Sequence, residues 1–258
     1  MQSDRRRKIV EMVQQSGSMT VAGLCELFDV SEMTIRRDLR DLDREGSLRR
    51  VHGGAVSSLG RSYEPPYTMR STRNPEKKRA IGHKAAELIL DGDSIALDVG
   101  TTTLEIAQAL QGKHNLTILT ASLPIANQIV AMLSLTSDAR LILTGGIVRP
   151  GELSLIGHIA VQTYAAFHVD KAFIGVAGIS LEDGLTEYNL EDALVKQPLI
   201  QNANQRIVVA DSSKLGKTKF ATIAPLSSVD TLVTDSDIPV EMIQALQELG
   251  IEVLVAEA

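Results

Sequence analysis

Apolar residues open the chain in three groups at helical spacing: Ile9, Met12 and Val13; Val21, Leu24 and Phe28; Ile35, Leu39 and Leu42. At about 100° per residue each group falls on one side of a helix, which predicts helices over 4–16, 21–28 and 32–45. The punctuation agrees. Gly17 and Ser18 break the first, Thr20 can cap the second, Asp29 and Val30 make a tight connection, and Ser31 is an N-cap for the third, which stops at Gly46. Leu48 to His52 then reads as a strand, with Gly53 and Gly54 as the turn of a hairpin. From Ser57 to Asn74 the periodicity is lost, and Gly60, Pro65 and Pro66 mark an extended linker. Asn74 caps a further helix with Pro75 at its first position, running to about residue 90 with Ile81, Ala85, Leu88 and Ile89 inward.

Beyond it the pattern alternates. Short Val, Ile and Leu runs at 94–99, 116–120, 140–144, 171–177, 206–210, 231–234 and 252–255 are separated by helical periods at 102–110, 123–135, 159–167, 190–204 and 240–249. Apolar strand runs between helices predict an α/β domain with a mostly parallel, buried sheet. The expected organisation is residues 1–58 as a small helical domain with a β wing, 59–74 as linker, and 75–258 as the α/β domain.

Charge sharpens this division. The net charge is −6, yet residues 1–79 hold 16 Lys and Arg against 11 Asp and Glu, a balance of +5, and the remainder holds 10 against 21, a balance of −11. The third helix sets Met33, Arg37, Arg40 and Arg44 opposite its apolar stripe, flanked by Thr34 and Arg36. Helix, short helix, tight turn and exposed arginine helix, followed by a hairpin, predict a winged helix-turn-helix that lays its third helix in a DNA major groove. Ser31, Thr34, Arg36, Arg37 and Arg40, with Arg49, Arg50 and His52 of the wing, are the candidate DNA contacts. Asp38, Asp41, Asp43 and Glu45 on the same helix also fit an ordinary solvated charged face. The modest positive balance of one such module implies that two or more copies act together.

Ligands of parallel sheets sit beyond the carboxyl ends of the strands. There the chain carries Asp98, Gly100, Thr101, Thr102 and Thr103 after the first strand, Ser122 after the second, Gly145 and Gly146 after the third, and Asp211 with Lys214 after the fifth; Glu187 lies between the fourth and fifth. Glycine and hydroxyls where a helix begins offer N–H groups to an anion, although a Thr-capped helix explains them as well. Lys214 would neutralise a phosphate, and Asp98, Glu187 or Asp211 would hold sugar hydroxyls.

The chain resembles the DeoR family of bacterial transcriptional regulators. The residues that carry this are Val30, Ser31, the run Thr34-Ile35-Arg36-Arg37-Asp38-Leu39, Leu42, Gly46, Leu48, Arg50 and the run His52-Gly53-Gly54-Ala55. Asp98, Gly100, Thr101, Thr102, Gly145, Gly146, the run Gly184-Leu185-Thr186-Glu187, and Asp211 with Lys214 extend it. The resemblance implies a C-terminal domain like ribose-5-phosphate isomerase that senses a sugar phosphate, and an oligomer on operator DNA. One departure is Thr120-Ala121-Ser122, where the family usually has an asparagine in the middle, so an amide that would face the ligand is missing.

Other chemistries are disfavoured. The alternative function, a sugar-phosphate isomerase-like enzyme fused to a DNA-binding module, requires several carboxylates after a central strand, and residues 170–175 offer Asp170 alone. The five histidines are scattered without metal-ligand spacing, there is no Walker A sequence, and residues 145–151 are not a dinucleotide fingerprint. No apolar run reaches the length of a membrane span, the N-terminal residues lack the apolar stretch of a signal peptide, and the single Cys25 reads as a packed helix residue. The expectation is therefore a cytoplasmic, homo-oligomeric repressor of a carbohydrate uptake or catabolic operon, without catalytic residues, metal or cofactor. Its partners would be a double-stranded DNA operator and a phosphorylated sugar.

Overall fold

The computed structural model describes residues 2–58, 60–136 and 138–257; Leu59, in the expected linker, lies outside the described residues. Contacts divide the chain between Tyr63 and Glu64 into two compact units. In the first, α1 (Gln2–Ser16), α2 (Val21–Phe28) and α3 (Glu32–Arg44) surround a core of Ile9, Val13, Leu24, Ile35, Leu39 and Leu48. The caps are those expected: Thr20 Oγ1 accepts from Gly23 N at 3.1 Å, and Ser31 Oγ from Thr34 N at 3.4 Å. Cys25 packs on the same core.

The wing differs in two details. Its strands are β2 (Leu48–Val51) and β3 (Gly54–Ser57), so that the turn is His52 with Gly53, and Gly54 pairs with Val51. A third strand, β1 (Ser18–Thr20), pairs antiparallel with β3. Three polar-flanked residues carry no period by which a strand is recognised. Gly54 makes this pairing possible, because a Cβ there would lie 2.2 Å from Met19 O.

In the second unit, residues 64–74 are not the extended linker that Pro65 and Pro66 suggest. They include α4 (Tyr67–Ser71) and belong to the domain that follows. Ion pairs of Glu64 and Arg70, not apolar periodicity, fix them there, so hydrophobic patterning gives no sign of it. Next, α5 (Pro75–Ala86) ends short of residue 90, and Leu88 and Ile89 enter tight turns donating to Ala85 O and Ala86 O.

The sheet strands are β4 (Ser94–Leu97), β5 (Thr117–Thr120), β6 (Arg140–Leu143), β9 (Val169–Gly175), β12 (Ala203–Val209), β14 (Thr231–Asp235) and β15 (Glu252–Ala256). They form one seven-stranded sheet, ordered β15-β14-β12-β9-β4-β5-β6, parallel at every pairing. Apolar clusters cover it, one including Ala172, Ile174 and Val208 and the other Leu97, Phe173 and Val209, the alternation expected of strands buried on both faces. The helices are α6 (Thr101–Gln108), α7 (Leu123–Thr136), α8 (His158–Ala165), α9 (Leu190–Asn202) and α10 (Val240–Glu248). Two small additions were not expected: a hairpin of β7 (Ile147–Arg149) and β8 (Ser154–Ile156), and an antiparallel sheet of β10 (Gly178–Ser180), β11 (Gly184–Glu187) and β13 (Ala221–Ala224). From β4 the chain builds outward through β5 and β6, then returns to add β9, β12, β14 and β15 on the other side. The reversal lies between β4 and β9, where an open parallel sheet forms its ligand crevice.

Candidate nucleic-acid interface and effector cleft

Helix α3 turns Ile35, Leu39 and Leu42 into the core, which leaves Met33, Arg36, Arg37, Arg40 and Arg44 exposed. Arg36 Nη2 lies 3.1 Å from Glu32 Oε2, while Arg37 and Arg40 have no ionic partner among the described residues. Ser31 and Thr34 share a hydrogen bond, their hydroxyl oxygens 3.0 Å apart. Arg49, Arg50 and His52 are exposed on the wing, and Asp43 Oδ1 accepts from Arg50 N at 2.9 Å, tying β2 to α3.

Asp38 corrects one reading. It is not part of a solvated face but is 1% exposed, held by Arg5 Nε at 2.8 Å and Arg6 Nε at 2.9 Å; Arg6 also pairs with Asp41. Burial opposes its charge, but Arg5 and Arg6 outweigh that and hold its carboxyl below the usual range. Two of the acidic residues that would dilute the arginine face are thereby neutralised from α1. The exposed side of α3 is left predominantly cationic.

At the strand ends the sequence candidates separate into two groups. Asp98 and Glu187 do not face an open cleft: both are buried, and both are ion-paired to Lys196 of α9, which is itself 2% exposed. Lys196 Nζ lies 2.9 Å from Asp98 Oδ2 and 2.7 Å from Glu187 Oε2, and donates to Gly175 O at 2.7 Å. Gly175 N donates to Asp98 Oδ2 at 3.0 Å, closing the reversal between β4 and β9. Burial alone would discharge the ammonium, but the two carboxylates hold its pKa above the usual value. Asp98 Oδ1 and the hydroxyls of Tyr164 and Ser154 are buried without a hydrogen-bond partner among the described residues.

Several other candidates serve the backbone. Thr103 Oγ1 donates to Gly100 O at 3.0 Å, Ser122 Oγ accepts from Ile125 N at 3.3 Å, and a Cβ on Gly146 would lie 2.6 Å from Ile156 O. Gly145, with φ of 73°, shapes the same turn before β7. Thr101 is buried and Thr102 half-buried at the start of α6.

Asp211 and Lys214 belong to the second group. Asp211 Oδ1 accepts from Ser213 N at 3.1 Å and from Asn74 Nδ2 at 3.3 Å, joining the end of β12 to the start of α5. Lys214 Nζ stands 5.9 Å from the ring centroid of buried Tyr188, and Lys219 Nζ stands 5.1 Å from it. Lys78, 5% exposed, donates its Nζ to Arg70 O. The pKa of Lys214 is pushed down to about 8 by burial and by the charges of Arg70 and Arg73, against the pull of Asp211. Lys78 is lowered to about 8 by burial and the same two arginines, again against Asp211. Lys217, lowered to about 8, adds burial with repulsion from Arg73 and Lys219. Cations that depress one another's protonation form a site an anion would relieve.

The sequence reading missed Lys196, Arg149, Asp192, Arg70 and Lys78. Lys196 left a trace, since it interrupts an apolar run of Ala193, Val195, Leu199 and Ile200 on a helix covered on most sides. Asp192, one turn earlier, is pushed up to about 6 by burial, against Lys196 and Arg149. Its folded pKa exceeds the ordinary 3.8, so the folded form binds more protons and loses stability as pH rises between these values. Asp192→Asn should abolish this component. The melting temperature of the wild type should fall relative to the variant from about pH 3 to about pH 7, by a difference worth about 3 kcal/mol. Parallel curves in calorimetry would contradict it.

A winged helix with an arginine-faced recognition helix, joined to a parallel α/β domain with a group of lysines and arginines beyond the end of β12, is the build of a ligand-responsive DNA-binding regulator. The chain belongs to the DeoR family of transcriptional regulators: residues 5–59 match the DeoR-like helix-turn-helix domain and residues 73–236 the DeoR C terminal sensor domain. It is 37% identical to the HTH-type transcriptional regulator YulB of Bacillus subtilis over 97% of this chain and 95% of that protein. It is 33% identical to the glycerol-3-phosphate regulon repressor of Escherichia coli over 97% of this chain and 98% of that one. A solved ribose 5-phosphate isomerase from Methanocaldococcus jannaschii is 18% identical, with 55% of each chain covered and a TM-score of 0.39. The protein is thus a DNA-binding transcriptional regulator and not an isomerase-like enzyme. No helix among the described residues is long and apolar enough to cross a membrane.

Proposed function

We propose that this protein represses a carbohydrate uptake or catabolic operon in the cytoplasm, binds its operator as a homo-oligomer, and releases it on binding a phosphorylated sugar. The observation that carries this is the grouping of Lys214, Lys78 and Arg70 near Asp211 at the carboxyl end of β12, where Lys78 Nζ donates to Arg70 O and Asn74 ties Asp211 to the start of α5. Cations supply a phosphate site, and Asp211 with the first turn of α6 supplies groups for sugar hydroxyls. The regulated operon named for the E. coli relative, a glycerol-3-phosphate regulon, is of the same chemical class. Ser31, Thr34, Arg36, Arg37 and Arg40 divide between base edges and phosphates, with Arg49, Arg50 and His52 on the backbone. A single head with a balance of only +5 over residues 1–79 binds weakly at physiological salt, which favours paired half-sites.

The test is a gel-shift titration on the promoter region of the adjoining genes, screened with hexose, pentose and alditol phosphates. The wild type should release DNA with one of them. Lys214→Ala should bind the same DNA normally but require about 10-fold or more effector, the loss expected of a charge-assisted phosphate contact. Release of Lys214→Ala at the wild-type effector concentration would overturn this placement of the phosphate.

A further inference from the structure

Glu64 is the first residue of the second unit, one peptide bond from Tyr63 of the DNA-binding unit. Two arginines share its carboxylate: Oε1 lies 3.3 Å from Arg70 Nη2, and Oε2 lies 2.5 Å from Arg149 Nη2. Arg149 continues to Asp192 on α9, and Arg70 also pairs with Glu152. Arg70 Nε donates to Pro65 O at 3.1 Å. Helix α4, which carries Arg70, buries none of its residues. The point at which the chain leaves the sensor domain is therefore held by charge rather than by apolar packing.

Arg70 has a second set of neighbours. Its carbonyl accepts from Lys78 Nζ, and its positive charge bears on Lys78, Lys214 and Tyr188, the residues of the cationic group beyond β12. The Tyr188 ring carries Lys214 and Lys219 on its surface. One guanidinium thus belongs both to the tether at Glu64 and to the group of cations that would meet an anion.

We propose that Arg70 is a shared cation: a phosphate seated among Arg70, Lys78 and Lys214 draws this guanidinium away from Glu64 and Glu152, and so loosens the segment leading to the DNA-binding unit. The proposal rests on the reading of the cleft as a phosphate site. Glu64 and the phosphate then compete for one group, and the coupling must be reciprocal. Removing the Glu64 charge must tighten phosphate binding, whereas loss of a merely structural tether would weaken it or leave it unchanged.

The experiment uses the full-length chain and inorganic phosphate at constant ionic strength. Binding is read by calorimetry, and local opening by hydrogen exchange of the Met69 and Arg70 amides, which donate to Pro66 O in the structure. In the wild type, phosphate should accelerate exchange at these amides. Glu64→Gln should exchange rapidly without phosphate, respond little to it, and bind it roughly two- to fivefold tighter, the range of a partly exposed ion pair. Glu105→Gln is the control for simple charge removal, because Glu105 also acts on Lys78; it should leave the exchange of α4 unchanged. Suppose phosphate binds the wild type, and Lys214→Ala abolishes that binding. Unchanged exchange at α4, or no greater tightening in Glu64→Gln than in Glu105→Gln, then overturns the coupling while the site stands. Failure of the wild type to bind phosphate removes the site reading, and the coupling with it.

Discussion

Lys196→Ala should lower the melting temperature of the sensor domain by roughly 10 °C at neutral pH, through the loss of about 3–5 kcal/mol that follows when one partner of a buried ion pair is removed. The ammonium is the one cation within ion-pair distance of both Asp98 and Glu187 among the described residues, and all three groups are withdrawn from water. Without it, two carboxylates remain in the interior with only the N–H donors of Gly175 and Tyr188. Lys196→Met should fare little better, although it restores volume, because the deficit is electrostatic. Adding Asp98→Asn and Glu187→Gln to Lys196→Met should recover much of the loss. The pH dependence supplies a second check. Burial works against the charge of Glu187, but Lys196 outweighs it and holds its carboxyl below the ordinary glutamate range. That group's contribution is present above the unfolded value and lost as the pH falls through the folded one. In Lys196→Ala burial pushes Glu187 up instead, and raises Asp98, already high from burial, further, so the deficit should be greatest near neutrality and shrink on acidification. A variant that melts within 1–2 °C of the wild type by differential scanning calorimetry would deny the triad this role.

The placement of these groups shows which parts of the molecule are readable from residue order. Ile35, Leu39 and Leu42 define α3 through a period that depends only on local geometry, and the capping role of Ser31 is local as well. The seven sheet strands are legible for the same reason, since each is a run of apolar residues bounded by turns. Glu64 and Arg70 are not, because what holds them is a carboxylate shared with Arg149, 85 positions from Glu64 along the chain. Pro66 does stand outside helical geometry, with φ of −50° and ψ of 146°, but nothing local says that the segment is anchored. Asp98 and Glu187 were legible as strand-end carboxylates, but their availability was not. That depends on Lys196, whose side chain reaches them only because α9 packs across β9 and β11. Asp38 repeats the lesson in the other unit: at helical spacing it borders the charged side of α3, and only the approach of Arg5 and Arg6 from α1 makes it internal.

The second large effect should be on DNA. Arg37 and Arg40 project from the exposed side of α3 without an ionic partner among the described residues, whereas Arg36 must first give up Glu32. Arg37→Ala and Arg40→Ala should therefore each weaken operator binding more than Arg36→Ala. A base-reading arginine contributes about 1–3 kcal/mol per head, and an oligomer placing two heads on one operator feels the substitution twice. The loss for such a residue should reach roughly 2–6 kcal/mol, or 30-fold and upward, and fall on cognate DNA alone. A phosphate-binding arginine should instead weaken cognate and unrelated DNA alike, and lower the slope of log affinity against log salt by about 1 per head. Fluorescence anisotropy on both DNAs at several salt concentrations separates the two. Neutralisation of Asp38 and Asp41 by α1 adds a further expectation: Arg6→Ala should weaken DNA binding although Arg6 itself faces those carboxylates, because Asp41 is then left uncompensated beside the reading face. If Arg37→Ala and Arg40→Ala both kept wild-type affinity and salt slope, α3 would not be the reading helix, and its arginines would be no more than a solvated face.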